Sequence, residues 1–240
     1  MKLEKFEQIV STNDYMKEKK EVEEWDTVYA LTQTKGRGRN GKKWVSDEGG
    51  AWFTTVIKEQ LEIPMSQYVK LPLVIGAALL NVLENLELKN VKIKWPNDIY
   101  VNDKKICGIL VEKSGENFIA GIGINVNMEK MDKEVENIAT SILIENGKKY
   151  EIEEIILKSI ETIKKYYEIF IRGGWNGIVE IIRKNDYLKG KTVELILENR
   201  TDTGVAAGIT RDGEIEVNIA GELKIYCSGE VSIKKYNGRV

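Results

Sequence analysis

An α+β fold, a mixed β-sheet flanked by helices with a small β-barrel appended at its C-terminal end, is the architecture that this sequence predicts. Three observations predict it. Short runs of β-type residues broken by Pro, Asn, Asp and Gly recur through the first half. Two long apolar stripes recur at helical spacing. From about Lys189 the texture changes to short alternating strands with tight turns between them. With 240 residues and 42% hydrophobic content, the chain can bury roughly 70% of its unfolded surface, enough for one substantial domain and an appendage. The expected division is 1–188 and 189–240.

Ser11, Thr12, Asn13 and Asp14 precede a helical run in "STNDYMKEKKEVEEW" and are N-cap candidates. "TVYALTQT" and "AWFTTVI" read as strands, so "TKGRGRNGKKW" between them is a loop. From Ser66 to Leu88, the apolar residues Val69, Leu73, Val74, Ala77, Leu80, Leu83 and Leu86 predict a core helix, with Pro72 near its start. "VKIKW", "DIYV", "KKICGILVEKS" and "NFIAGIGINVN" are four short runs joined by turns, most simply an antiparallel set. Ile152, Ile155, Ile156, Ile160, Ile163, Tyr167 and Phe170 form the stripe of a second helix, and "WNGIVEIIRKN" a shorter one. The strands "TVELIL", "GVAAGIT", "EIEVNIA", "ELKIYC" and "EVSIKK" complete the chain.

Composition narrows the chemistry. Thirty-six basic and 38 acidic residues leave a formal charge of −2, so no overall positive field exists to attract nucleic acid. Cys107 and Cys227 form no C-x-x-C pair and read as buried free thiols. No targeting segment is visible and no apolar run approaches the roughly 20 residues that span a bilayer, so a cytoplasmic protein is expected. The chain has no histidine, which excludes Ser-His and Cys-His nucleophile arrangements and histidine metal sites. Chemistry here runs on Lys, Arg, Asp, Glu, Asn and bound ions, and nucleotide-driven group transfer fits that restriction.

Three stretches carry candidate chemistry. The loop from Thr34 to Trp44 packs five basic residues and three glycines into eleven positions. It is a solvated surface loop, a nucleic-acid arm or an anion-binding loop; glycines let backbone N–H groups approach phosphate closely and Arg offers a planar fork. "KWPND" presents Lys94, Asn97 and Asp98 at a turn, and the following hairpin brings Asp98 and Lys105 to one region. "GIGINVN" is either core packing or a strand whose glycines admit a ligand beside Asn125.

Their combination and order, "STN", then "QTKGRGRNGKKW", "KWPND", "KKICGILVE" and "GIGINVN", resembles biotin protein ligase from about Phe6 to the last strands, where "GEVSI" also matches. The resemblance implies a class II aminoacyl-tRNA synthetase-like catalytic domain with an SH3-like C-terminal barrel. It implies an ATP-dependent enzyme that forms biotinyl-5′-AMP from biotin and MgATP and then transfers biotin to a lysine of a biotin carboxyl carrier domain. No tightly bound prosthetic group is expected. Matched residue by residue, Ser11, Thr12, Asn13, Gln33, Gly36, Arg37, Gly38, Arg39, Lys105 and Gly108 are implied on the biotin side. Arg39, Trp44, Lys94, Asn97 and Asn125 are implied on the nucleotide side, Asp98 as a Mg²⁺ candidate or an orienter of the acceptor amine, and Arg39 and Lys105 as catalytic. Lys42 departs from the Arg common at its position. The ligase core begins almost at Met1, leaving no room for a winged-helix domain, so DNA binding is not expected; a homodimer through the sheet is among the family's habits. A lipoate ligase-like adenylating enzyme and a non-catalytic biotin or nucleotide sensor are the alternatives.

Overall fold

The computed structural model describes residues 1–197 and 199–233. Its main sheet contains β1 (Leu3–Ile9), β2 (Thr27–Gln33), β3 (Gly50–Lys58), β4 (Val91–Lys94), β5 (Asp98–Val101), β6 (Lys104–Ser114) and β7 (Asn117–Asn125), in the spatial order β1-β2-β3-β7-β6-β5-β4. β1 runs parallel to β2 and every other neighbour is antiparallel, so the sheet is mixed, and the four strands β4 to β7 form the connected antiparallel set that their turns predict. β1 was not foreseeable by alternation. Its apolar residues Leu3, Phe6 and Ile9 fall at every third position, and pairing with β2 makes it a strand.

The helices are α1 (Thr12–Glu18), α2 (Leu71–Asn85), α3 (Ile142–Asn146), α4 (Ile152–Ile171) and α5 (Trp175–Lys184). α1 is shorter than its helical run, because the backbone turns extended at Lys19. Pro72 sits in the first turn of α2, where its missing N–H costs nothing. The preceding Met65–Lys70 stretch is a 3₁₀ segment that leaves Val69 exposed and off the predicted stripe. Contrary to the expectation of no spanning run, Met65–Asn85 is long and apolar enough to cross a membrane, but 72% of its apolar window is buried inside the fold, where α2 packs on α4 and the sheet.

Strand parity assigns the two faces of the sheet. Phe53 and Ile57 of β3 and Phe118, Ala120, Ile122 and Ile124 of β7 enter the large core under α2 and α4. On the opposite face, Val56 and Ile119 join Met16 of α1 and Val28 in a small second core. That second face carries the candidate site.

The second sheet contains β8 (Thr192–Ile196), β9 (Thr201–Ile209), β10 (Ile215–Ile219), β11 (Glu222–Tyr226) and β12 (Glu230–Ile233), all antiparallel in the order β11-β10-β9-β8-β12. Among the described residues β11 and β12 do not pair, so the expected barrel is an open sheet; β12 spends its pairing on β8. The end of "EVSIKK" and the rest of the C-terminal stretch lie outside the described residues. Trp95 Nε1 donates to the Gly213 carbonyl at 3.0 Å and Trp175 Nε1 to the Arg211 carbonyl at 2.7 Å, fastening the turn between β9 and β10 to the β4–β5 turn and to α5. Cys107 is buried as expected, and burial pushes its thiol pKa up, whereas Cys227 is exposed in the turn after β11.

Candidate active site

Two cross-strand rows of residues run beneath a cavity of about 660 Å³, within the range of small-molecule sites. One row runs Trp52, Gly123, Gly108, Asp98 and Lys94 across β3, β7, β6, β5 and β4; the other runs Thr54, Gly121 and Leu110. The glycines of "GIGINVN" and "KICGILVE" therefore leave bare backbone where neighbouring side chains must lie flat. A Cβ on Gly123 would come within 2.6 Å of the Trp44 indole, one on Gly108 within 2.8 Å of it, and one on Gly121 within 2.0 Å of Asn13 Oδ1.

The N-terminal end of α1 and the end of β2 build one side. Ser11 Oγ accepts from the Asp14 N–H at 3.3 Å, so this residue does cap the helix while lining the cavity. Gln33 Oε1 accepts from the Thr12 N–H at 2.8 Å and lies 3.1 Å from its hydroxyl, and Gln33 Nε2 donates to Ser46 Oγ at 2.9 Å. Thr54 Oγ1 lies 2.8 Å from Thr12 Oγ1 and 2.6 Å from Asn13 Oδ1. Ser11, Thr12, Asn13 and Thr54 are all buried, and the order of this polar chain comes from its satisfied bonds.

The basic loop is folded back on itself. Gly38 N–H donates to the Lys42 carbonyl at 2.7 Å, and Asn40 and Gly41 adopt positive φ at the tip. The chain's own carboxylates take up part of the charge. Arg37 donates to Asp14 at 2.5 Å and to Glu112 at 3.1 Å, and Lys42 pairs with Glu230 from the second sheet. Burial works against the charged Arg37 guanidinium, but Glu112 and Asp14 outweigh it and raise its pKa. Arg39 differs: it donates to Asn97 Oδ1 and to the Gly229 carbonyl, both at 3.2 Å, and makes no ion pair among the described residues. Burial lowers its pKa, with Asp98 and Glu230 opposing. Gly36 does not line this cavity; it packs behind the loop, where a Cβ would lie 2.4 Å from the Trp44 carbonyl.

At the far side Lys105 Nζ lies 2.7 Å from Asp98 Oδ1 and 4.8 Å from the centre of the Trp44 ring, so the hairpin joins the two residues as its turn predicts. Lys94 is partly buried beside them, its Nζ 3.3 Å from the Tyr100 hydroxyl, and burial lowers its pKa. Asn97 Nδ2 donates to the Ile109 carbonyl and Asn125 Nδ2 to the Thr140 carbonyl, both at 2.8 Å, so each amide braces a neighbouring segment. No group of three or more His, Cys, Asp or Glu that could hold a metal occurs among the described residues.

The sequence matches a known family in two places. Residues 5–129 match the Biotin/lipoate A/B protein ligase family, and residues 189–234 the Biotin protein ligase C terminal domain. The chain belongs to the biotin protein ligase family. It is 31% identical over 232 residues to the Bifunctional ligase/repressor BirA of Escherichia coli, covering 94% of this chain and 72% of that protein. It is 26% identical over 211 residues to the Biotin--[acetyl-CoA-carboxylase] ligase of Mycobacterium tuberculosis, covering 85% and 77%. Its fold superposes on the biotin protein ligase from Aquifex aeolicus in complex with biotin and ATP with a TM-score of 0.88 and 32% identity, covering 98% of this chain and 99% of that one. The mixed sheet with flanking helices is thus the biotin ligase architecture, and the chain is a ligase.

Sequence reading missed four residues that stand behind the lining of this ligase's cavity and one, Glu230, that lines it. Glu112, Asp14, Lys17 and Thr54 build the network around Asn13, and Glu230 reaches the loop from the second sheet. Glu112 had a usable signal, since it stands four residues after Gly108 and so on the same face of β6. Glu230 had none, because its contact depends on how the second sheet docks.

Proposed function

We propose that this chain joins biotin to ATP and passes the biotinyl group to a lysine of a carrier domain. In the first step a carboxylate oxygen of biotin attacks the α-phosphorus of ATP, forming the mixed anhydride and expelling pyrophosphate. In the second, the carrier amine attacks the acyl carbon, the amide bond forms, and AMP leaves. Neither step needs histidine, since the biotin carboxylate is ionised at pH 7 and is its own nucleophile. The task is to bring two anions together.

The observation that carries this reading is Arg39: a partly buried guanidinium at the edge of the cavity, hydrogen-bonded to neutral oxygens and without an ion pair among the described residues, its charge left for an anion. On this reading Arg39 holds the α-phosphate and Lys105 stabilises charge between carboxylate and phosphate. The polar chain of Ser11, Thr12, Asn13 and Gln33 is suited to a cyclic urea, which presents N–H donors and a carbonyl acceptor. Trp44, Lys94, Asn97 and Asn125 belong to the nucleotide side. Mg²⁺ enters with ATP. With no acidic cluster among the described residues, its ligands would be mainly phosphate oxygens and water, and Asp98 is the candidate protein carboxylate. Biotin is favoured over lipoate by the match of residues 189–234 to the Biotin protein ligase C terminal domain. A cytoplasmic location and a biotin carboxyl carrier domain as acceptor go with this reading.

ATP–pyrophosphate exchange by the purified protein, with biotin, with lipoate or with no acid, tests it. Exchange that requires biotin is the expected result. Exchange with lipoate alone moves the chain to the sister activity, and binding of biotin without any exchange replaces the ligase reading with a sensor.

A further inference from the structure

Glu112 is absent from the list of groups that the reaction calls for, yet it sits where three parts of the site meet. Projecting from β6 onto the cavity face, its Oε2 accepts from Asn13 Nδ2 at 3.0 Å and from Arg37 Nη2 at 3.1 Å, while Oε1 lies 2.6 Å from Lys17 Nζ and 3.4 Å from Arg37 Nη1. One carboxylate thus ties α1, the basic loop and the floor of the sheet together. Asp14 closes the ring by taking the same Arg37 nitrogen at 2.5 Å.

The consequence for Asn13 is chemical. An amide side chain has nearly the same shape either way round, and only its neighbours decide which end donates. An ionised carboxylate accepts and cannot donate, so Glu112 requires the NH₂ of Asn13 to face it. The carbonyl oxygen is then turned to Thr54 Oγ1 at 2.6 Å and lies against the bare backbone of Gly121, where a Cβ would come within 2.0 Å. With its single hydrogen given to Asn13, the Thr54 hydroxyl can only accept from Thr12 Oγ1, 2.8 Å away, while the Thr12 N–H donates to Gln33 Oε1 at 2.8 Å. The direction of one amide therefore sets the hydroxyls of Thr54 and Thr12, while Gln33 is oriented by the Thr12 backbone N–H.

We propose that Glu112 is a positioning residue for the ring-binding end of the site: by admitting only donors, it sets the hydrogen-bond polarity of the Asn13–Thr54–Thr12 chain and holds Arg37 of the loop beside it. This rests on the reading of biotin as substrate, because a cyclic urea is the ligand whose recognition depends on which of these atoms donate. Glu112 itself touches none of the reacting atoms.

Glu112→Gln tests the proposal, since glutamine has the same shape but offers one acceptor and one donor and cannot serve Asn13, Arg37 and Lys17 together. In biotin-dependent ATP–pyrophosphate exchange, the expected result is an increase in the KM for biotin of about tenfold or more, the size of a lost hydrogen bond to a charged group. The KM for ATP and the kcat should stay within about threefold. Combining Glu112→Gln with Asn13→Ala should add little to Asn13→Ala alone, because both disable the same chain. Lys17→Gln, which removes one partner of the carboxylate without touching Asn13, should leave the biotin KM nearly unchanged, and Glu112→Asp should restore part of the affinity. An unchanged biotin KM in Glu112→Gln, equal increases in both KM values, or full additivity with Asn13→Ala would overturn the proposal. Absence of biotin-dependent exchange in the unmodified protein is a different failure: it removes the substrate reading, and the assignment of Glu112 falls with it.

Discussion

Lys105 and Asp98 form a pair whose structural and chemical roles can be separated by substitution. Their charged atoms are 2.7 Å apart and the side chains are 26% and 16% exposed. At an effective dielectric constant near 20, two unit charges at that distance attract by about 6 kcal/mol before desolvation is subtracted. Removing one partner of a fully buried pair costs roughly 3–5 kcal/mol. With about a fifth of each side chain in water, the discounted expectation for Lys105→Met or Asp98→Asn is roughly 1–3 kcal/mol. In a chain of this size that corresponds to a fall in melting temperature of roughly 3–10 °C. The double variant leaves no stranded charge and should recover most of that loss, a coupling of about 1–2 kcal/mol. The rate behaves differently if Lys105 stabilises the reacting carboxylate and phosphate. Single-turnover formation of biotinyl-AMP should fall by about 10²–10³ in Lys105→Met, and Asp98→Asn added to it should recover none of that. Thermal denaturation and rapid-quench adenylation on the four proteins measure both quantities. Recovery of the rate in the double variant would mean that the defect came from an unpaired Asp98, and the catalytic assignment of Lys105 would be lost.

Other consequences follow from the same geometry. Gly123→Ala drives a Cβ to within 2.6 Å of the Trp44 indole; overpacking of this kind costs about 1–3 kcal/mol, and the tryptophan emission should shift as Trp44 leaves the floor, a shift absent in a Trp44→Phe background. Glu230→Gln removes the partner of Lys42, whose side chain is 63% exposed. Stability should change by less than about 1 kcal/mol, while trypsin should cut the Arg39–Lys43 stretch several-fold faster; an unchanged cleavage rate would show that the pair does not hold the loop. For Glu112, burial pushes the carboxyl up but the bonds from Lys17, Asn13 and Arg37 outweigh it, so its folded pKa lies below the ordinary 4.5. Its stabilisation is present above that value and is lost as pH falls through the lower folded pKa. The stability gap between the unmodified protein and Glu112→Gln in urea titrations should therefore be constant from pH 7 to 5 and shrink below about 4.5.

Legibility of the sequence tracked how local each cause was. β7 could be read almost to the residue because Phe118, Ala120, Ile122 and Ile124 alternate toward the large core while glycines alternate on the other face. The α4 stripe was equally plain. β1 was hidden, since an edge strand with apolar residues every third position becomes a strand only through its parallel pairing with β2. In the site, the glycines of β6 and β7 were visible as places of close approach, but what approaches them, Trp44 and Asn13, arrives from the loop and from α1. The hairpin predicted the meeting of Asp98 and Lys105, since only a short turn separates their strands. The contacts of Glu230 and Gly229 with the loop span nearly 190 positions and follow from the docking of the second sheet, which no local pattern encodes.

The loop that looks from the sequence like a reservoir of unclaimed positive charge is, in the folded chain, partly compensated. Asp14 and Glu112 take Arg37, and Glu230 takes Lys42. An entering triphosphate therefore does not meet five equivalent cations. At Lys42 it must compete with a carboxylate whose own pKa that lysine already depresses, so the gain there is the difference between two ion pairs. Arg39 is hydrogen-bonded, among the described residues, to the neutral oxygens of Asn97 and Gly229, with Asp98 and Glu230 acting on it without a direct ion pair, so the gain there exceeds that at Lys42. The carboxylates around Arg37 and Lys42 thus weaken two of the loop's five cations toward an anion and leave Arg39 as a partly buried guanidinium with no ion pair among the described residues. Internal compensation also explains how a chain of net charge −2 can keep so basic a segment folded against its sheet.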